Sequence, residues 1–420
     1  MTVSHRGCPI VAETPATMAC FFGFHDVTPW NPANDTLAVL RVDPALRALP
    51  NGEVAEVCLW RPGDEPEPVG ATAAWNFQMG ARSQWLADGR LLYNVVEGGE
   101  LGAVAYDPES GSERRLPFAV GAVDRDGRES ISPHYGRLAR HWPAYGVACA
   151  AAPSGDAPAP DVDGLWRMDL TTGSLSLFLS LAEVAAFRPV AVSGHIPHFL
   201  SHPLYSPSSR RVAFMHRFFT ADGALYSRLL VAGRRGTNLR LLAEEKVSHF
   251  CWRDDDTILL WTRRLPRAVA AMRRRGWLAS PMLRPALRLA RRLGGRAKQA
   301  LTGEHYVHLQ VEEPSRREVV GPDCLPVDGH PMYRPGGRWF VTDTYPDANR
   351  QQALILFDTQ TGQRLDIGSF RADPAYGDRD LKCDLHPRWD GSGRFVCVDT
   401  TRHGNRQCAI VDVRPALELA

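Results

Sequence analysis

The stretch 332–345, MYRPGGRWFVTDTY, decides the fold of this chain. Its aromatic residue leads through a Pro-Gly-Gly turn into alternating apolar residues, which is typical of a strand, a tight turn and a second strand. The unit recurs as PWNPANDTLAVLRV from Pro29, QWLADGRLLYNVV from Gln84, LYSPSSRRVAFMHR from Leu204, CWRDDDTILLWTRR from Cys251 and RWDGSGRFVCVDTT from Arg388. The aromatic anchors are Trp30, Trp85, Tyr205, Trp252, Tyr333 and Trp389. Their spacings are 55, 120, 47, 81 and 56 residues, and the longest gap has room for two units, so seven units fit.

A second pattern, an apolar strand followed by a turn and a closing strand, also occurs seven times, as in GLWRMDLTTGSLSLFL and ALILFDTQTGQRLDIG. Four short strands per unit predict an all-β protein, a seven-bladed β-propeller formed as a single domain by residues 1–420. An array of β-sandwiches accounts less well for one regular period over the entire chain. The last unit stops after its third strand, and we expect the N-terminal segment to supply the missing outer strand.

Bulk composition fits a soluble globular protein, with 44% hydrophobic and 23% charged residues. The nine cysteines are scattered and odd in number, which favours a reducing compartment. The first twenty residues lack the pattern of a signal peptide, and no run of eighteen apolar residues occurs. We therefore expect a cytoplasmic protein.

One segment carries a strongly asymmetric charge. From Thr257 to Gly303 there is no acidic residue and there are twelve Lys or Arg, so the rest of the chain, with +2 overall, sums to −10. Residues 264–303 are predicted to be a basic, partly helical insertion within blade five. The insertion could contact a membrane surface, act as a lid that attracts an anionic glycan, or be a solvated variable loop. No nucleic-acid-binding motif accompanies it, so we expect no nucleic-acid partner.

Histidine occupies one repeated position, three residues before the anchor. It stands there in the four last units, as His202, His249, His330 and His386, whereas the first two units have Val27 and Arg82. Equivalent positions of successive blades face a common centre, so we expect these imidazoles to converge. They could tether neighbouring blades, or they could bind a metal ion or an anionic ligand.

Two cysteines near these histidines favour a metal. Cys251 follows His249 by two residues, and Cys383 precedes His386 by three. Imidazole and thiolate together suit zinc or another borderline divalent ion. The predicted ligands are His249, His330, Cys383 and His386, with Cys251 as a substitute.

Three stretches, FFGFHDVTPWNP (21–32), HPMYRPGGRWFVTDTYPD (330–347) and CDLHPRWDGSGRFVCVDT (383–400), resemble the bacterial seven-bladed propeller polysaccharide lyases. These are the oligogalacturonate lyases and the ulvan lyases, and the resemblance covers most of the chain as a repeat pattern. It implies cleavage of an anionic, uronate-containing oligosaccharide or polysaccharide by β-elimination. Oligogalacturonate lyases hold a divalent metal through histidines and a glutamine, so the resemblance implies zinc or manganese here, although this chain has Cys383 at the matching place.

β-Elimination needs a cation beside the uronate carboxylate, a base for the C5 proton and an acid for the leaving oxygen. Ulvan lyases use histidines, a tyrosine and an arginine, and units three and four of this chain offer those types. Strand alternation lets His198 and His202 face one side. The predicted catalytic residues are His134 and His202 as acid and base, Tyr145 as a second proton-transfer group and Arg217 as the carboxylate neutraliser. The predicted substrate-binding residues are Arg137, His141 and His198.

Two other functional classes remain open at this stage. The protein could be a non-catalytic glycan-binding or polysaccharide-biosynthesis accessory that docks at the membrane surface through 264–303. It could also be a protein-interaction scaffold, because a propeller fold does not imply a function. The concentration of histidines argues against the scaffold, which has no need of them.

Overall fold

A computed structural model describes residues 3–190, 195–220, 223–263, 303–377 and 380–418. These residues form many short strands and few helices. The strands are β1 (Val3–His5), β2 (Ile10–Glu13), β3 (Ala19–Phe21), β4 (Leu37–Val42), β5 (Ala55–Trp60), β6 (Glu67–Thr72), β7 (Gln84–Trp85), β8 (Leu91–Glu97), β9 (Glu100–Tyr106), β10 (Glu113–Leu116), β11 (Ala122–Val123), β12 (Glu129–Pro133), β13 (Gly164–Asp169), β14 (Leu175–Ser180), β15 (Phe199–Tyr205), β16 (Arg211–Phe219), β17 (Leu225–Gly233), β18 (Arg240–Glu245), β19 (Val247–Trp252), β20 (Thr257–Arg263), β21 (Glu304–Gln310), β22 (Arg317–Val320), β23 (Met332–Tyr333), β24 (Trp339–Asp343), β25 (Gln351–Asp358), β26 (Arg364–Arg371), β27 (Arg388–Trp389), β28 (Phe395–Thr400) and β29 (Gln407–Asp412). The α-helices are α1 (Tyr135–His141), α2 (Leu181–Ala186) and α3 (Arg414–Leu417).

The strands form seven sheets, each built from strands that follow one another in the chain. The sheets are β3–β6, β7–β10, β11–β14, β15–β18, β19–β22, β23–β26 and β27–β29. The predicted seven-bladed β-propeller is confirmed, because each of the seven repeats supplies three or four consecutive strands of one sheet.

The N-terminal segment completes the last sheet, as the sequence predicts. Strand β2 pairs antiparallel with β29, with Ile10 opposite Val411. A contact that the sequence did not predict lies just before it, where β1 adds a parallel fifth strand to β26 with Val3 opposite Arg364. The two N-terminal strands thus belong to two different sheets.

The third unit explains the gap of 120 residues between two anchors. Its first strand is β11, and Val123 stands where the other units have an aromatic residue. The turn that follows has the same hydrogen bond as the others, in which the Asp124 N–H donates to the carbonyl of Glu129 over 3.0 Å. The unit is present, but without its aromatic signal.

The aromatic anchors link neighbouring sheets. The indole N–H of Trp85 donates to the carbonyl of Pro29 over 2.8 Å, and that of Trp389 donates to Met332 over 3.1 Å. Trp252 makes the same bond to Leu204 over 3.2 Å. In each case the acceptor directly precedes the anchor of the previous unit, which gives the repeated aromatic a physical reason.

The described chain divides into two compact units. One comprises 1–155, 166–176 and 330–420, and the other comprises 156–165 and 177–329. The core of the first unit includes the packed residues of the two last sheets, among them Trp339, Leu354 and Trp389, all at most 5% exposed. The core of the second includes Met215, Leu229 and Leu260.

The predicted basic insertion begins where β20 ends at Arg263 and returns at β21, which starts at Glu304. Arg263 and Glu304 are opposite each other in the ladder of the fifth sheet, so the chain leaves β20 and enters β21 at the same end of these two neighbouring strands. Residues 264–302 lie outside the described residues, and the membrane-contact prediction stays a prediction. Among the described helices, none has the length and apolarity that crossing a bilayer requires.

Candidate metal centre

Two of the four repeated histidines lie together in the first of the two compact units. The rings of His330 and His386 are 4.4 Å apart between centroids and nearly perpendicular, and each residue is 2% exposed. They precede the first strands of the sixth and seventh sheets. His386 has a φ of 45°, a left-handed conformation that is uncommon outside glycine. The same conformation occurs at His202 and Arg82, at the same offset in two other units.

Asp384 completes a group of three candidate ligands. One side-chain atom each from His330, Asp384 and His386 can be chosen so that all lie within 4.8 Å of one another. Asp384 is 2% exposed, and its Oδ1 has no hydrogen-bond partner among the described residues. Burial alone raises the pKa of this carboxyl group, but Lys382, His330 and His386 lower it to about 2. The group is therefore a buried carboxylate beside two imidazoles.

Asp343 orients one of these imidazoles. Its carboxylate lies 2.8 and 3.0 Å from Nδ1 of His330 and accepts the backbone N–H of the same residue over 2.7 Å. A carboxylate at Nδ1 fixes the tautomer with the proton on that nitrogen and leaves Nε2 as the ligand atom. The Nε2 atom of His330 lies 3.9 Å from Oδ2 of Asp384.

The segment that carries Asp384 is held by its backbone. Four buried polar groups bind the carbonyl oxygens of residues 381, 382, 383 and 385. These bonds run from Arg406 to Leu381, from Gln78 to Lys382, from Gln352 to Cys383 and from the Asp399 N–H to Leu385. These bonds hold the backbone around Asp384 in place through residues that are not themselves candidate ligands.

Further polar and aromatic side chains surround the group. His25 lies 5.3 Å from His330 between ring centroids, and its Nδ1 is 3.2 Å from the carbonyl of Pro331. Phe24 packs 5.1 Å from His386 and 6.1 Å from Tyr145.

The Lys382 side chain reaches the same place from the segment that carries Asp384. Its Nζ is 2.6 Å from Oδ2 of Asp384 and 4.3 Å from the ring centroid of Tyr345. Burial lowers the pKa of Lys382, but Asp384 and Tyr145 outweigh it, so that the pKa is raised.

These residues fit a divalent metal ion. Two imidazoles and a carboxylate are ligands for manganese, iron or zinc, and a carboxylate behind a ligating histidine is the usual second layer of such sites. The buried Oδ1 of Asp384 is an acceptor that a cation would satisfy.

The predicted ligand set differs from the group that the structure brings together. His330 and His386 belong to both, whereas Asp384 takes the place of its neighbour Cys383. Burial raises the pKa of the Cys383 thiol to about 12, and its role as a ligand stays a prediction. His249 lies in the second compact unit, where its Nδ1 is 3.1 Å from Asp328, and Cys251 is buried in β19.

The predicted residues of unit three lie on and after α1. His134 caps this helix by accepting the Arg137 N–H over 3.4 Å, and it packs 5.7 Å from Phe118. The guanidinium of Arg137 donates to Ser154 over 2.9 Å, and His141 is half-buried at the end of the helix. Of the predicted residues in this repeat, Tyr145 lies nearest the three candidate ligands, because it packs against Phe24, which packs against His386.

His202 lies in β15 and Arg217 in β16 of the fourth sheet, and His198 directly precedes β15. All three belong to the second compact unit. His198 is 2.7 Å from His216, and His202 is 3.3 Å from Arg217. Since His216 and Arg217 are consecutive in β16, they face opposite sides of the sheet. The prediction that His198 and His202 share a face is therefore wrong. The reason is a β-bulge between Ser201 and Leu204, which breaks the alternation.

Sequence reasoning missed His25, Asp343, Lys382 and Asp384. His25 stands in the quoted stretch FFGFHDVTPWNP but not at the repeated offset. Asp384 precedes His386 by two residues, a spacing that could have suggested a shared face. Asp343 and Lys382 have no local signal, because their roles depend on contacts between distant segments.

Comparisons with known proteins confirm the fold. The chain is similar to an oligogalacturonate lyase from Vibrio parahaemolyticus, with 14% identity, 96% of this chain and 93% of the other covered, and a TM-score of 0.60. It is also similar to an oligogalacturonate lyase in complex with manganese, with 14% identity, coverage of 99% and 96%, and a TM-score of 0.64. No protein-family model and no curated protein sequence matches the chain. At this identity the likeness supports the propeller fold and not an activity.

Proposed function

We propose that this protein is a metal-dependent lyase that cleaves uronate-containing oligosaccharides or polysaccharides by β-elimination. The observation that carries the proposal is the buried group of His330, Asp384 and His386, whose atoms lie within 4.8 Å and which Asp343 supports from behind. One of the structurally similar proteins is an oligogalacturonate lyase in complex with manganese, which makes manganese the first metal to test. The carboxylate ligand also favours manganese more than the predicted thiolate did, and zinc is the second metal to test.

The reaction removes the proton at C5 of the uronate, breaks the bond from C4 to the leaving oxygen and forms a double bond between C4 and C5. The leaving oxygen takes up a proton, so that no oxidant or reductant is needed. A bound divalent cation would supply positive charge beside the uronate carboxylate, which makes the C5 proton more acidic.

The residues beside the metal group supply the other functions. His25 donates from Nδ1 to Pro331, which places the lone pair on Nε2, and this nitrogen is our candidate for the base. Tyr145, half-buried beside Phe24, is the candidate proton donor for the leaving oxygen. His202 and Arg217 keep their predicted roles of acid or base and carboxylate neutraliser as hypotheses that variants can test separately.

The test uses the purified full chain loaded with Mn²⁺ and, separately, with Zn²⁺. It is incubated with a panel of uronate-containing oligosaccharides, and the ultraviolet absorbance of the conjugated product is followed. We expect absorbance to rise with at least one substrate, to be lost in Asp384→Asn, and to be retained in His195→Ala, which removes an exposed imidazole. A panel that gives no rise with metal-loaded protein contradicts the proposal.

A further inference from the structure

Lysine is rare in this chain, and one lysine stands at the metal group. Among the 49 basic residues, the sequence has only three lysines, Lys246, Lys298 and Lys382. An ammonium is a compact point charge, whereas a guanidinium is broad and planar. A lysine can therefore occupy a place of the size that a metal ion takes.

The position of Lys382 matches that description. Its Nζ is 2.6 Å from Oδ2 of Asp384, the same oxygen that lies 3.9 Å from Nε2 of His330. The ammonium thus lies against the carboxylate that a metal ion would need. Asp384 is 2% exposed, so leaving its charge without a cation would be costly, and Lys382 supplies that cation in the metal-free protein.

Lys382 can also leave this place without unfolding the site. Its side chain is 27% exposed, whereas that of Asp384 is 2% exposed. The backbone of Lys382 is held by Gln78, so only the side chain has to move. Its ammonium already lies over the ring of Tyr345, 4.3 Å from the centroid, which offers a second favourable contact outside the ligand group.

We propose that the Lys382 ammonium and the metal ion compete for Asp384, and that metal binding releases this ammonium to contact an anionic ligand. The inference rests on the metal centre of the proposed function. Two cations that share one carboxylate repel each other, so the lysine weakens metal binding and the metal displaces the lysine. The displaced ammonium then contacts a carboxylate group of the substrate. When no metal is bound, the ammonium stays paired with Asp384 and does not make that contact.

Calorimetric titration of chelator-treated full-length protein with Mn²⁺ tests the competition. We expect Lys382→Met to bind Mn²⁺ at least ~10-fold more tightly than the unmodified chain, since a positive charge beside the metal is removed. The matched control is Lys246→Met, whose ammonium lies 3.7 Å from Glu304 in the second unit and whose loss should leave the affinity unchanged.

A second measurement uses the unmodified chain and does not depend on a variant. The lysines are labelled with an acylating reagent with and without Mn²⁺, and the modified peptides are quantified by mass spectrometry. We expect labelling of Lys382 to rise several-fold with the metal, because its amine leaves the ion pair, and labelling of Lys246 to stay constant. Equal or weaker Mn²⁺ affinity in Lys382→Met, or unchanged labelling of Lys382, overturns the inference and leaves the metal centre standing. Failure of every protein to bind Mn²⁺ and Zn²⁺ overturns both.

Discussion

Asp399 is a buried acid whose protonation should control the stability of the protein. Its carboxyl group accepts the N–H groups of Phe22 over 3.0 Å and Gly23 over 3.2 Å, and its own N–H binds Leu385. Burial raises the pKa of Asp399 to about 8, although these hydrogen bonds and Arg406 lower it. The residue therefore joins the segment before His25 to the segment that carries Asp384 and His386.

The sign of the pH dependence follows from this pKa. The pKa of Asp399 is about 8 in the folded chain and near the ordinary 3.8 in the unfolded chain, so the folded state binds one more proton between these values. Stability then falls as the pH rises through this window, by about 1.4 kcal/mol for each pH unit. Between pH 5 and pH 7 the contribution of Asp399 amounts to roughly 3 kcal/mol.

The Asp399→Asn substitution removes this titration and keeps the size of the side chain. Urea unfolding of metal-free protein, followed by tryptophan fluorescence at pH 5, 6 and 7, gives the free energy of unfolding for both chains. We expect the unmodified chain to lose roughly 3 kcal/mol relative to the variant between pH 5 and pH 7. The control is Asp88→Asn. Asp88 is exposed, and Arg90 lowers its pKa below the ordinary value, so this residue does not titrate between pH 5 and pH 7. If the curves for the unmodified chain and Asp399→Asn run parallel, the argument about burial is refuted.

Three other predictions address the metal, the backbone and the insertion. Asp343→Ala should weaken Mn²⁺ binding by about 10–100-fold in calorimetry, since His330 loses its orienting carboxylate, and an unchanged affinity would contradict this role. Gly23→Ala should lower the free energy of unfolding in urea by about 2 kcal/mol or more, because φ is 113° and the new Cβ would lie 2.8 Å from backbone atoms of Met79 and Gly80. Gly89→Ala, also at positive φ but with nothing within 4 Å, should cost less, and equal losses would refute the steric argument. Replacing 264–302 by a short Gly-Ser linker should abolish flotation with anionic vesicles, and flotation of both chains to the same extent would exclude the insertion as the contact.

The sequence predicted the fold because its signal is repeated. A turn and an alternating strand recur with an aromatic anchor, and in three units a tryptophan anchor also bonds to the neighbouring sheet. Where Val123 replaces the aromatic, the spacing and the second strand pattern revealed the unit. The parallel strand Val3–His5 could not be predicted, since its partner in β26 lies far along the chain and three residues carry no pattern.

The candidate site was predicted in part for the same reason. His330 and His386 share the repeated offset, so reasoning from the period found both. Asp343, Lys382 and Asp384 do not repeat, and their positions depend on the folded path of the chain. The bulge at His202 changes the face of the sheet to which this side chain points. A residue with left-handed backbone conformation can therefore invalidate an inference from strand alternation.

The pairing of β2 with β29 also constrains the order in which the chain can fold. Ile10 meets Val411 across about 400 residues, and closing a loop of that length costs about 5 kcal/mol in chain entropy. During synthesis on the ribosome, β2 emerges long before its partner exists, so the seventh sheet is completed only after β29 has emerged. A chain interrupted before β29 would leave β28 as an unpaired edge strand, whose free backbone N–H and C=O groups invite aggregation and chaperone binding.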